Sequence, residues 1–161
     1  FIPAVEKGVR EVLAQGYLAG YPIEDVKVTV YDGKSHPVDS KEVAFVAAGR
    51  KAFLDALKSA APQVLEPIVS VEVTAPEAYM GDIAGDLASR RGQVTNTQGL
   101  PGGEIEVTAL VPLAELESYA TRLHAITQGT GAWSMELSSY QPVPAARQAE
   151  LAGRFHREEE D

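Results

Sequence analysis

The chain has 161 residues, 45% hydrophobic and 23% charged, with a formal net charge of −9. Those proportions belong to globular protein, in one domain or two small ones. With no cysteine and only His36, His124 and His156 as histidines, a disulfide framework, a thiol nucleophile and a multi-histidine metal cluster are all set aside.

The charge is unevenly spread. Residues 1–61 hold eight basic and eight acidic side chains. Residues 62–141 hold three basic ones (Arg90, Arg91, Arg122) against ten acidic. The shift near residue 62 predicts two modules. No apolar run approaches the roughly 20 residues of a bilayer span, and no signal peptide is visible. The first residues, from Phe1 onward, read as the middle of something, so a piece of a longer protein is expected.

Ile2, Val5, Val9, Val12 and Leu13 form one helical stripe over 2–15. Pro3 suits its first turn and Gly16 its end. Val26, Val28 and Val30 alternate with Lys27 and Thr29, which predicts a half-buried strand closed by Asp32-Gly33. Residues 34–39 read as loop. Asp39 or Ser40 can cap a second helix, with Val43 as a staple-like contact. That helix runs to about Ala61 on Phe45, Phe53, Leu54 and Leu57, and Pro62 stops it. A helix, a lone strand and a helix leave the strand's N–H and C=O groups without partners. The first module is therefore expected to be truncated, its other strands lying upstream.

The second module reads as complete. A strand over 68–74 places Val69, Val71 and Val73 on one face. Pro76-Glu77 opens a helix with Met80, Ile83, Ala84 and Leu87 as its stripe, ended by Arg90-Arg91-Gly92. Gln93–Thr97 is a short strand, 99–103 a hairpin loop, and Glu104–Val111 a strand alternating Ile105, Val107 and Ala109 with polar residues. Leu113, Leu116, Ala120 and Leu123 predict another helix. After the turn at Gly129–Gly131, Trp133, Met135 and Leu137 alternate in a last strand, read as core. Pro142 and Pro144 open a tail, 142–161, with a short helix over 145–157. The order β-α-β-β-α-β is the ferredoxin-like arrangement, with two helices on one face of an antiparallel sheet. That fold names no function by itself.

Longer motifs carry a resemblance. "IPAVEKGV" (2–9), "AGYP" (19–22), "DVKVTVYDG" (25–33), "HPVDSKEVAF" (36–45) and "LEPI" (65–68) resemble the second half of domain IV of bacterial translation elongation factor G. "GDIAGDLASRRG" (81–92), "VPLAELESYATRL" (111–123) and "TQGTGAWSMEL" (127–137) resemble its domain V. The match runs in order over essentially 1–145. It implies an α+β chain: a truncated βαβ-type domain (1–62) of the ribosomal protein S5 domain 2-like kind, then a ferredoxin-like βαββαβ domain V (63–141). It implies a cytoplasmic GTP-driven translocase whose partners are ribosomal RNA, tRNA and mRNA, with no membrane. GTP and Mg2+ would belong to the parent. No G-x-x-x-x-G-K-[ST] loop is present, so the fragment is expected to be without cofactor and not an enzyme; it is also expected to be monomeric.

On the same resemblance, His36, Pro37, Asp39 and Ser40 form a domain IV tip that touches RNA, and Ser89, Arg90 and Arg91 a ribosome contact of domain V. Read without it, His36 is a solvated loop histidine. His36, Asp39 and Ser40 are triad residue types but crowd one loop, a poor nucleophile-base-orienter line. Arg90 and Arg91 admit two readings: planar forks for phosphate, or cations that complement a helix C-terminus. There are departures from the family pattern. His36-Pro37-Val38-Asp39-Ser40 stands where the family has His-Asp-Val-Asp-Ser. Ala88 stands where it has Asn. The hairpin 98–103 lacks the common Arg-Gly-Gly. These point as readily to an elongation factor G-like paralogue acting in ribosome recycling or another ribosome-linked role. A reading of another class is a standalone ferredoxin-like interaction module.

Overall fold

The computed structural model describes residues 1–36 and 41–155, and divides the chain into two units. The first is Phe1–Val64 together with the described residues after Pro142 (143–155), so the expected separate tail belongs to this unit. The second is Leu65–Pro142.

In the first unit, α1 (Ile2–Gln15) and α2 (Glu42–Ser59) bury Val9, Val12, Phe53 and Leu57 in a small core. Their crossing depends on Gly8. A Cβ built there would lie 2.1 Å from the Val46 carbonyl oxygen, so only a residue without one lets the backbones approach this closely. Arg50 Nη1 donates to Glu11 Oε2 at 3.0 Å across the same pair. The helix α5 (Ala145–Arg154) is tied in by Gln148, whose Oε1 accepts the Val64 N–H at 3.0 Å.

Two expectations are corrected here. Residues 26–30 form no strand, and Val26, Val28 and Val30 are exposed. An alternating pattern marks a chain fit to pair, but a strand exists only with a neighbour to bond, and none of the described segments supplies one. Helix α2 is capped by Lys41, with no side-chain bond, and Val43 is exposed rather than a staple. Asp39 and Ser40, the expected caps, lie outside the described residues.

The second unit consists of β1 (Leu65–Pro76), α3 (Met80–Ser89), β2 (Gln93–Leu100), β3 (Glu104–Pro112), α4 (Tyr119–Thr127) and β4 (Ala132–Pro142), with single 3-10 turns at Glu77–Tyr79 and Leu113–Glu115. The sheet is antiparallel in the order β2-β3-β1-β4, which is the ferredoxin-like arrangement. Val69, Val71, Val73 and Ala75 of β1 stand opposite Val111, Ala109, Val107 and Ile105 of β3. Ile83 and Leu87 of α3, with Leu116, Tyr119 and Leu123, cover that face. The intervening positions Ser70, Glu72, Thr74, Glu106 and Thr108 are polar and lie outside this core, as expected of a sheet covered on one face.

Three details of the expected core change. Met135 and Leu137 are 51% and 56% exposed, although they pair directly with Val71 and Val69. They lie on β4, an edge strand of the sheet. Only Trp133 of the expected trio packs against the core, edge-on to the Tyr119 ring with centroids 5.0 Å apart. The helical stripe Leu113-Leu116-Ala120-Leu123 is broken by Ser118, which is left-handed at φ 59°. The helix restarts after it, and Leu116, Tyr119, Leu123 and Thr127 turn inward while Leu113 and Ala120 face out. Met80, expected inside, is exposed at the start of α3.

Candidate functional site

The C-terminal end of α3 is where the sequence places Ser89, Arg90 and Arg91. The helix stops because Arg91 turns left-handed, with φ 57°. The Gly92 N–H then donates to the Leu87 carbonyl at 2.9 Å, the six-to-one bond of a Schellman end. A Cβ at Gly92 would lie 2.5 Å from that carbonyl oxygen, so glycine is required. A side chain as large as arginine in the left-handed region costs about 1–2 kcal/mol. Its bonds to two carboxylates offset that cost.

Arg91 donates from Nη1 to Glu66 Oε1 at 2.7 Å and from Nη2 to Glu66 Oε2 at 3.1 Å, and from Nε to Glu115 Oε1 at 3.0 Å. The hydrogen bonds to Glu66 are the main reason that its guanidinium is held above the usual arginine range. Glu66 itself is buried. Arg90 donates from Nε to Asp86 Oδ2 at 3.0 Å and from Nη1 to the Glu115 carbonyl at 2.6 Å. Its guanidinium carbon lies 5.0 Å from the centre of the Tyr119 ring, a cation–π contact. Ser89 Oγ donates to the Asp86 carbonyl at 2.6 Å.

All three expected site residues are therefore brought together, and all three are engaged within the unit. Arg90 and Arg91 fasten the end of α3 to the 3-10 turn at Leu113–Glu115, and Arg91 reaches β1 as well. Asp86 also accepts from Arg122 Nε at 3.3 Å. The Tyr119 ring is buried, and its hydroxyl has no hydrogen-bond partner among the described residues. Its pKa is pushed up to about 12, chiefly by burial and then by the nearby Asp86 charge. Of these partners, only Asp86, four residues before Arg90 on one helix, was signalled by spacing. Glu66, Glu115 and Tyr119 come from other elements, and no local pattern announces them.

In the first unit, His36 is exposed at the end of the described stretch 1–36. Pro37, Asp39 and Ser40 of the expected tip lie outside the described residues. Among the described residues, no group of three or more histidine and carboxylate side chains could hold a metal ion. Among them, too, no helix is long and apolar enough to cross a membrane.

A four-stranded antiparallel sheet with two helices on one face, following a helical unit, defines an α+β chain with a ferredoxin-like module. Comparison with known proteins adds the family. Residues 1–61 match the family described as elongation factor G, domain IV, and residues 63–151 match elongation factor G C-terminus. The chain belongs to the elongation factor G family. A crystal structure of a protein from Thermus thermophilus is 38% identical, with a TM-score of 0.79. The match covers 94% of this chain and 23% of that one, so the chain spans less than a quarter of that relative's length.

Proposed function

We propose that the chain is the ribosome-contacting part of a translational GTPase that promotes movement of tRNA and mRNA during elongation. The observation that carries this reading is the tandem itself: both family modules occur, in order, over nearly the whole chain. In this reading GTP and Mg2+ are bound and turned over by a part of the parent outside this chain. In it, His36, Pro37, Asp39 and Ser40 of the first unit contact RNA, and the second unit docks on ribosomal RNA.

A second reading is favoured by Pro37 and Ala88, which replace the family's usual Asp and Asn. In it, the parent is a paralogue acting in ribosome recycling. The full-length parent with His36→Ala and Asp39→Ala separates the two. Near-parental ribosome-stimulated GTP hydrolysis with slowed translocation supports the first reading. Translocation at the parental rate removes the tip role. A parent that never translocates but separates ribosomal subunits establishes the second.

A further inference from the structure

The sheet of the second unit ends in two edge strands, β2 and β4, and they are not alike. On β2 the residues opposite the inward row of β3 are Val94, Thr97 and Gly99, a mostly polar row that ends in glycine. Its register slips at Thr95, whose hydroxyl donates to the Thr108 carbonyl at 3.2 Å. A bulge and a glycine blunt an edge against further pairing. On β4 the corresponding row is Trp133, Met135 and Leu137, opposite Val73, Val71 and Val69 of β1. Pairing with β1 is regular from Ala132 to Leu137, and that stretch contains no lysine, arginine or proline. Such residues are what ordinarily keep a further strand off an edge. Met135 and Leu137 are nevertheless more than half exposed. Among the described residues, no strand lies on the outer side of β4.

The opposite face of the same strand carries the charge. Glu136 stands opposite Ser70 and Ser134 opposite Glu72, so Glu136 and Glu72 are diagonal neighbours on β4 and β1. Glu106 follows on β3, its carboxyl held above the usual range chiefly by a hydrogen bond shared with Glu72. The three arginines of the unit pair with Asp86, Glu66 and Glu115, and none with these glutamates. A strand laid along β4 therefore meets apolar side chains on one face and uncompensated negative charge on the other.

We propose that the outer edge of β4 is a docking site for an extended segment of a basic protein partner, one whose residues alternate between apolar and cationic. The free N–H and C=O groups of the edge pair with the main chain of that segment, as in strand addition generally. Its apolar side chains cover Met135 and Leu137. The lysines or arginines between them meet Glu136 and Glu72, which selects the partner by charge. A nucleic acid does not suit this edge, because its phosphates would face the same carboxylates. The assignment stands apart from the ribosome-contacting reading above and uses none of its residues.

The test titrates the isotopically labelled 161-residue chain with an acetylated, amidated heptapeptide of alternating lysine and valine, followed by amide chemical shifts. A glutamate–valine heptapeptide and a lysine–valine heptapeptide N-methylated at alternate amides are the controls. The expected result is saturable binding with shifts centred on Ala132–Leu137. Affinity should fall about tenfold or more for the glutamate peptide and about fivefold or more for the N-methylated one. Glu136→Lys, and separately Met135→Ser with Leu137→Ser, should each weaken binding by about fivefold or more. All three positions are exposed, and an unchanged far-ultraviolet circular dichroism spectrum checks that the fold is kept. Glu136→Lys alone decides the matter if the double serine variant does not fold. Absence of saturable binding, shifts centred on β2, or equal affinity for the glutamate or the N-methylated peptide overturns the proposal. Self-association of the chain alone, abolished by Leu137→Ser, gives the edge to a second copy and overturns it as well.

Discussion

Arg91 holds both carboxylate oxygens of Glu66, at 2.7 and 3.1 Å, and so joins the end of α3 to the start of β1. Glu66 is buried, whereas Arg91 is partly open to water, which weakens the Coulombic share of the pair. Glu66→Gln keeps the shape and removes the charge. The expected loss is about 1–2 kcal/mol, since a buried donor–acceptor set loses its charge assistance. Denaturation followed by the fluorescence of Trp133, the single tryptophan, measures it within this unit. An unchanged midpoint would show that Arg91 is held by Glu115 alone.

Tyr119 predicts a pH dependence. Its folded pKa is raised to about 12 from an ordinary tyrosine value of 10.0. A raised pKa means that the folded state keeps the proton longer than the unfolded state. The associated stability is complete below pH about 10 and is lost as pH rises towards about 12, by up to roughly 1.4 kcal/mol per pH unit. Tyr119→Phe removes both this loss and a buried hydroxyl without a partner among the described residues. The variant should be as stable as the parent at about pH 7, or more stable by about 1 kcal/mol. The difference between the two stability curves above pH about 10 is the readout.

Gly8 and Gly85 should respond oppositely to alanine. At Gly8 the new methyl meets the Val46 carbonyl at 2.1 Å, and α1 must move off α2. Overpacking of this kind costs about 1–3 kcal/mol. At Gly85 nothing lies within 4 Å of the new methyl, and the helix gains about 0.5–1 kcal/mol from alanine's better propensity. Melting of the two variants, each against the parent, checks both signs.

Val71 and Met135 face one another across β1 and β4 but should tolerate aspartate very differently. Val71 is fully buried, so Val71→Asp leaves an unpaired carboxylate in the core and costs about 3–5 kcal/mol. Met135 is half open to solvent, and Met135→Asp should cost about 1 kcal/mol or less. Circular dichroism and Trp133 fluorescence of the two variants separate them. Equal loss would show that β4 is covered in solution.

The strand and helix order of the second unit was legible because each element carries its own period. Val69, Val71 and Val73 alternate on β1, Ile105, Val107 and Ala109 on β3, and Ile83 and Leu87 lie one turn apart on α3. What periodicity reports is a shared face, not a cover, so Met135 and Leu137 read as core although each is more than half exposed. Val26, Val28 and Val30 show the same limit from another side. Their alternation is that of a strand, yet hydrogen bonding needs a neighbour. The left-handed turn at Ser118 shifted the register of α4 and hid Tyr119. At the candidate site, the residues were legible and their partners were not. Glu66 and Glu115 lie some 25 residues from Arg91, and only the fold brings them into contact with it.

The chain leaves the first unit at Val64 and returns to it at Val143, whose N–H donates to the Val64 carbonyl at 2.9 Å. Synthesis from the N-terminus therefore completes the four strands of the second unit before the first unit receives its last helix. At about 5–20 residues per second, the stretch from Val143 to Arg154 follows the last strand within a few seconds. Until then the Val64 N–H lacks the Gln148 acceptor. The second unit is encoded in one unbroken stretch, whereas the first is assembled from segments on both sides of it, so a chain cut after Pro142 keeps every strand of the sheet and loses the Gln148 acceptor of the first unit.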